Sequence, residues 1–333
     1  MGFCQEKALA KRLFSGIQPS GDIHIGNYLG ALRNWVALIP EFDCTYSIVD
    51  LHAITVPYEA SEMQPRILTL AAVLVGCGVD PDRCTLFVQS HVPEHTELAW
   101  MLNTVTPVGE LFRMTQFKEK SAQFEGSVNA GLLNYPVLQA ADILLYKGEV
   151  VPVGEDQVQH LELSREIARK FNARFGQVFP EPQARLTAAA RVMGLDDPTK
   201  KMSKSVGNTI GLLEDPKSIW EKVRTGVTDP ARVRRTDPGE PTKCNIFTLH
   251  GYFSPPADIE YVAKGCRSAG IGCTECKKIL FDSMMKVLNP IRERAQALLG
   301  EPQRVWDMLR RGAQRCRPIA QATMAEVKKA MGL

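Results

Sequence analysis

The chain has 333 residues, 44% hydrophobic, 23% charged and 7% aromatic, with a formal net charge of +3. That length fits two packed domains, and the composition is that of a globular chain with a sizeable core, which excludes disordered and collagen-like classes. No apolar run approaches the roughly 20 residues that cross a bilayer, and MGFCQEKALAKR at the start lacks the apolar core of a secretory signal, so a cytoplasmic protein without a membrane partner is expected. Gly2 opens a myristoylation pattern that Glu6 breaks.

Arg12–Ile17 (RLFSGI) reads as a short strand, and Asn27–Leu38 has helical spacing with Leu29, Leu32, Trp35 and Val36 on one side. Thr45–Asp50 is a β-rich run, Arg66–Gly78 a buried helix closed by Gly78, and Thr85–Gln89 another buried strand. Strands apolar on both faces, alternating with helices, predict a parallel α/β sheet. Ligands bind such sheets beyond the carboxyl ends of the strands. Residues 94–150 are mostly helical, as an insertion between two halves of the sheet would be. Val151–Gln157 is a strand and turn opening a helix over Val158–Phe171, and Arg191–Thr209 is a loop rich in Lys, Ser, Gly and Pro. Further helices are expected around Lys217–Thr225, Phe281–Leu299 and Pro302–Gly332. The polar stretch Thr228–Thr242, with three prolines, reads as a linker or exposed loop.

Charge is unevenly distributed. Residues 1–210 hold 19 Lys/Arg and 23 Asp/Glu, whereas residues 211–333 hold 21 and 14, so a body of net −4 carries a C-terminal third of net +7. A basic third of this kind suits a polyanion such as nucleic acid.

Two motifs carry chemistry. In SGIQPSGDIHIGNYLGAL (Ser15–Leu32) a strand ends at Gly16, a Gly/Pro/Ser turn follows, and a helix starts near Gly26. Small residues let the backbone approach a phosphate, the helix start supplies unpaired N–H groups, and His24 faces the same anion. In KKMSKS (Lys200–Ser205), three lysines and two serines on a loop form a cationic clamp suited to a polyphosphate. Nine cysteines without an export signal argue against disulfides. Cys4, Cys44, Cys77, Cys84 and Cys316 are scattered and read as small hydrophobes. Cys244, Cys266, Cys273 and Cys276 cluster in the basic third in the pattern C-x21-C-x6-C-x2-C. Four thiolates meeting at one centre hold either zinc or a [4Fe–4S] cluster.

HIGN followed by KMSKS resembles the signature pair of the class I aminoacyl-tRNA synthetases. GIQPSG (Gly16–Gly21), MTQFKEKS (Met114–Ser121), AADILLY (Ala140–Tyr146) and VPVGEDQ (Val151–Gln157) are similar to the bacterial-type tryptophanyl-tRNA synthetases, in order and over nearly the whole chain. The resemblance implies a Rossmann-type catalytic domain over 1–210, with its helical insertion near 94–150. It also implies an all-α anticodon-binding domain over 211–300, with a helix over 301–333 packing back on the catalytic body. The implied reaction activates L-tryptophan with ATP and esterifies tRNA(Trp), in a homodimer whose candidate interface is Leu98–Phe117.

Under the resemblance, His24, Lys118, Lys201 and Lys204 compensate phosphate charge. Gln18, Pro19, Ser20, Gly26, Asn27, Gly154, Glu155, Asp156, Val192, Met202, Ser203 and Ser205 line the ATP, whose Mg²⁺ is held by phosphates and water. Asp142 pairs with the indole N–H, and Gln139 stands beside it where many members have Met. Phe14, Gly16, Tyr135, Val151 and Val153 shape the pocket, and His52 and Gln157 meet the substrate's polar end. A subset of the family carries a [4Fe–4S] cluster at similar cysteine spacing, which favours that group over zinc. Lys264, Arg267, Lys277 and Lys278 flank it for RNA phosphates. The rival expectations are a synthetase of other specificity and a non-catalytic RNA-binding paralogue.

Overall fold

The computed structural model describes residues 10–123, 126, 128–154, 157–186, 192–203 and 207–333. Among them, five strands form one parallel sheet: β1 (Arg12–Ile17), β2 (Asp43–Ile48), β3 (Thr85–Val88), β4 (Val150–Val153) and β5 (Gln183–Leu186). Their spatial order is β3-β2-β1-β4-β5. β1 pairs with β2 along its whole length, from Arg12 opposite Asp43 to Ile17 opposite Ile48, and β4 lies on its other side. Chain order therefore reverses between β1 and β4, and a crevice opens at such a switch point.

Helices cover both faces. The first, α1 (25–38), contains a π-turn at Tyr28–Leu32. Next come α2 (Asp50–Ala53), α3 (Ala60–Gly76), α4 (Glu94–Asn103), α5 (Val108–Phe112), α6 (Thr115–Gln123), α7 (Ala130–Leu145) and α8 (Val158–Phe175). The C-terminal third holds α9 (Pro216–Thr225), α10 (Asn245–Phe253), α11 (Pro256–Arg267), α12 (Cys273–Leu299) and α13 (Pro302–Met331). Successive strand residues point to opposite faces. Leu13 and Leu86 join the core under α1, α3 and α12, while Phe14 and Phe87 join the core under α4, α7, α8 and α13.

The last two helices are locked onto the sheet layers. Arg294 of α12 donates two hydrogen bonds, at 2.9 and 2.6 Å, to the carbonyl of Gly76, which ends α3. Gly312 of α13 lies so close to β3 that a Cβ there would stand 1.9 Å from the Leu86 carbonyl oxygen. Lys147–Glu326 and Lys328–Glu97 ion pairs tie α13 to the neighbouring helices.

Several elements differ from expectation. The second strand ends at Ile48, and from Val49 the chain enters α2, where the Asp50 carboxylate accepts from the Leu51 and Ser90 N–H groups. β5 (QARL) has no sequence signal, since this edge strand is exposed on both faces. The helix expected at 66–78 runs over Ala60–Gly76, the one expected at 158–171 reaches Phe175, and the one expected from Phe281 begins at Cys273. The stretch 228–242 is irregular as expected but is not a free linker: Asp229 and Arg232 are buried within it. Among the described residues no helix is long and apolar enough to cross a membrane.

Candidate active site

A cleft of about 900 Å³ opens at the carboxyl ends of β1 and β4. It is lined by Phe14, Gly16, Gln18, Ser20, His24, Gly26, Asn27, His52, Tyr135, Asp142, Val151, Val153, Gly154, Gln157, Val192, Lys201, Met202 and Ser203. The fold thus brings together residues that lie far apart in the chain. Glu155, Asp156, Lys204 and Ser205 lie outside the described residues. Pro19 and Lys118 are not among the lining residues; Pro19 is buried and Lys118 exposed.

The HIGN segment is built by its own hydrogen bonds. His24 is the N-cap of α1: its Nδ1 accepts from the Gly26 N–H at 3.1 Å, and its own N–H donates to Asn27 Oδ1 at 3.1 Å. A Cβ at Gly26 would stand 2.8 Å from the His24 ring, so glycine lets the imidazole fold over the helix start. With Nδ1 accepting, the proton of the neutral ring sits on Nε2, which makes that nitrogen a donor. The first four N–H groups of α1 are taken up by Ile210 and His24, so the helix start adds its positive dipole rather than free donors.

Backbone bonds fix the second motif beside it. The Ile25 N–H donates to Ile210 O and the Leu212 N–H to Ile23 O, each at 2.9 Å. The Met202 N–H donates to Val192 O at 2.9 Å, and Asn208 Oδ1 accepts from the Ser203 N–H at 2.8 Å. Val192, Lys201 and Met202 are therefore held on the same cleft as His24 by the polypeptide itself.

The other end of the cleft is apolar around one carboxylate. Asp142, on α7, is 1% exposed. Its Oδ2 pairs with His52 Nε2 at 2.8 Å, and its Oδ1 accepts from Gln89 Nε2 and pairs with His95 Nδ1, both at 2.6 Å. Burial alone would push this carboxyl up, yet the hydrogen bonds and charge of His52 and His95 hold it below the usual carboxylate range. Tyr135 edges onto the His52 ring, donates to Gln116 Oε1 at 3.0 Å and meets His160 Nε2 at 2.8 Å. Phe14 stacks on Tyr146 behind the pocket.

Sequence reasoning missed several contributors. Ser15, Ile17, Gly30, Ala31, Val49, Gln116, Gln123, Ile143 and Pro152 also line the cleft, as does Trp35, read only as core; Gln139, which the sequence placed beside Asp142, lines it too. Gln116 lies inside the TQFKEKS motif, so its signal was present. On the same helix Lys120, which like Lys118 is not among the lining residues, stands with Nζ 4.9 Å from the ring centroid of the lining residue Tyr135, and burial lowers its pKa. Gln89 and His95 had no signal, because only the fold brings β3 and α4 to α7.

A second pocket lies in the C-terminal third. Cys244, Cys266, Cys273 and Cys276 line it together with Asp229, Arg232 and apolar side chains. Arg232 Nη1 is 3.7 Å from Cys266 Sγ, and its buried Nε has no partner. His250 Nε2 is 3.4 Å from Cys276 Sγ. Burial, then the neighbouring thiols, push the Cys276 thiol up to about 12. The thiols share the pocket without closing on a point: among the described residues no group of three or more His, Cys, Asp or Glu forms a site for a metal ion.

With both motifs facing one cleft at the switch point of a parallel sheet, the molecule falls among the class I nucleotide-activating synthetases. The chain belongs to the class I tRNA synthetases for W and Y, whose family pattern matches residues 7–289, and it is an aminoacyl-tRNA synthetase. It is 55% identical over 326 residues to the tryptophan–tRNA ligase of Deinococcus radiodurans, covering 96% of this chain and 98% of that one. It is 48% identical over 329 residues to the tryptophan–tRNA ligase of Caldanaerobacter subterraneus, covering 97% and 98%. The crystal structure of the Campylobacter jejuni tryptophanyl-tRNA synthetase with ADP and tryptophan superposes with a TM-score of 0.90 at 36% identity, covering 97% of this chain and all of that one.

Proposed function

We propose that the chain activates L-tryptophan with ATP and transfers it to the 3′ end of tRNA(Trp), working in the cytoplasm. The observation that carries this reading is Asp142, a buried ionised carboxylate in a pocket shaped by Phe14, Gly16, Tyr135, Val151 and Val153. An indole offers one donor and no acceptor, and this carboxylate pairs with it.

The tryptophan carboxylate is ionised at neutral pH, so its oxygen attacks the α-phosphorus of ATP without a general base. A C–O–P bond forms, the bond to the β-phosphate oxygen breaks, and pyrophosphate leaves. Catalysis then rests on in-line positioning and compensation of phosphate charge. His24 Nε2–H, the start of α1, Lys201 and Lys204 supply that compensation, with Lys120 entering from α6. Gln18, Ser20, Gly26, Asn27, Gly154, Val192, Met202 and Ser203 form the nucleotide wall, and sequence resemblance alone assigns Glu155, Asp156 and Ser205 to it. Mg²⁺ would be held by the ATP phosphates and water, and would offset charge on the transferring phosphoryl group. In the second step a terminal ribose hydroxyl of tRNA attacks the adenylate's carbonyl, and AMP leaves.

Amino-acid-dependent pyrophosphate exchange tests the reading. Tryptophan alone should support rapid exchange. Faster exchange with tyrosine or phenylalanine would assign another specificity, and none with any amino acid would leave an RNA-binding paralogue.

We also infer that Cys244, Cys266, Cys273 and Cys276 hold a [4Fe–4S] cluster. Four thiols face one pocket, Gly239 leaves room beside Cys266 Sγ, and the partnerless Arg232 Nε suits an anionic thiolate-ligated group. A single zinc ion draws sulfurs to about 2.3 Å from one point; thiols spread around a pocket fit the larger group better. A cluster there would brace loop 228–242 against α10 to α12, where Lys264, Arg267 and Lys278 are exposed for RNA phosphates; Lys277, expected to join them, is instead buried and donates to the Arg224 carbonyl at 2.7 Å. About four irons and four sulfides per chain after anaerobic purification would support it, and stoichiometric zinc would replace it. For the homodimer, the insertion helices expose Trp100, Val108 and Phe112, Trp100 being 74% exposed.

A further inference from the structure

Asp142 anchors a buried hydrogen-bond chain that reaches well beyond the cleft. A carboxylate accepts at about four positions. The bonds from Gln89 and His95 occupy Oδ1, and the bond from His52 occupies one side of Oδ2. One acceptor position is left, on Oδ2, the oxygen shared with His52, and both of those residues line the cleft.

His95 does not line the cleft. It is 0% exposed, packed between Phe87 of β3 and Tyr146, with ring centroids 5.8 and 5.4 Å away. Asp142 is acceptor only, so His95 Nδ1 donates to it. Nε2, 2.8 Å from Tyr146 Oη, then accepts the phenolic proton in the neutral ring. Tyr146 in turn has a side-chain hydrogen bond with Cys316 of α13. With His95 neutral, acceptor-only Asp142 sets its tautomer, Tyr146 completes the chain by donating to Nε2 and so holds the ring in place, and the ring in turn sets the rotation of the Asp142 carboxylate.

We infer that His95, backed by Tyr146, is a positioning residue for tryptophan: it turns Asp142 so that the vacant acceptor on Oδ2 meets the indole N–H. The inference rests on the tryptophan reading given above. A donor on only one oxygen would leave the carboxylate free to swing about its Cβ–Cγ bond. Donors on both oxygens, Gln89 and His95 on one and His52 on the other, remove that freedom before substrate arrives.

The test uses pyrophosphate exchange with tryptophan and with its benzothienyl analogue, in which sulfur replaces the indole N–H. The unmodified protein should show a KM for the analogue well above that for tryptophan, because the vacant acceptor stays unpaired. Equal values there would sink the Asp142 reading itself and are distinguishable from failure at His95. His95→Leu should raise the tryptophan KM about tenfold, the scale of one buried charge-assisted hydrogen bond. The KM values for the analogue and for ATP should change less than about twofold on the same argument, since neither uses the vacant acceptor. His95→Asn, whose amide can replace the Nδ1–H donor, should recover most of the loss. Equal rises for tryptophan and analogue would make His95 a packing residue and overturn the inference. Should His95→Leu not fold, Tyr146→Phe removes one hydroxyl within the same shape. It should reduce discrimination between the two substrates roughly threefold, as loss of a neutral hydrogen bond does; unchanged discrimination would overturn the inference equally.

Discussion

Two buried clusters of ionisable side chains meet the cost of burial in opposite ways. Around Asp142 the chain supplies every partner: one carboxylate, donors from three other elements, and a pKa held low despite complete burial. Around the cysteines it supplies too few. Burial raises the Cys244 thiol, partly offset by backbone hydrogen bonds, and burial followed by the neighbouring thiols raises the Cys276 thiol, with Arg232 the one opposing charge there. A buried charge needs a partner. The first cluster is therefore complete as polypeptide, whereas the second gains its counter-charge, on the reading given above, from a bound iron–sulfur group. On these proposals, substrate recognition is built to be rigid before substrate arrives, whereas the basic C-terminal third would be braced by a group the chain must acquire.

Altering the complete cluster should have the largest effect. Asp142→Asn keeps the shape but turns an amide N–H₂ toward donors. It should lower kcat/KM for tryptophan about 10³-fold, the scale of breaking a buried charged pair, with little change in KM for ATP. A loss below about tenfold would mean that the indole N–H finds its partner elsewhere. The phosphate end comes next. Lys120→Met should lower kcat for exchange about 10²-fold, as removal of one transition-state donor does, whereas the exposed Lys118→Met should change it less than about twofold, the usual result at an exposed charge. The reverse result would return the role to Lys118. For the incomplete cluster, Cys273→Ser should lower tRNA charging about tenfold, typical of a disturbed metal site, and leave tryptophan-dependent exchange nearly untouched. Equal losses in both assays would erase the division between the two regions.

Much of this contrast was legible in the sequence, and the part that was not has physical reasons. Strands β1 and β3 stand out because both of their faces are buried, so their residues form continuous apolar runs. β5 is an exposed edge and carries no such run. The stretch 228–242 is polar and proline-rich, so it reads as exposed; Arg232 is buried there only because carbonyls of Arg235 and Ile271 accept its guanidinium N–H groups at 3.2 and 2.5 Å. Asp142 was visible as a single charge in an apolar helix. Its partners Gln89 and His95 were not, because each looks like an ordinary polar residue until the sheet and α4 bring it to α7. Local pattern reveals a site's anchor, and tertiary packing alone reveals what orients it.

The smallest effect concerns pH and follows from the completeness of the Asp142 cluster. The folded carboxyl titrates below its ordinary value of 3.8. Its contribution to stability is therefore fully present above that value and is lost as pH falls through the lower folded one. The groups facing it are His52 and His95, with Tyr146 behind the latter, and both imidazoles can donate to the carboxylate whether neutral or charged. Denaturant unfolding of the wild type and of Asp142→Asn, run in parallel, cancels the titrations of groups that do not touch Asp142. The stability gap between them should stay level from about pH 8 to pH 5 and narrow only in stronger acid. A gap that already closes between pH 7 and pH 5 would mean that Asp142 takes up a proton in the folded chain near neutrality. The carboxylate would then not be held ionised by its own donors, and the contrast with the cysteine pocket would fail at its first term.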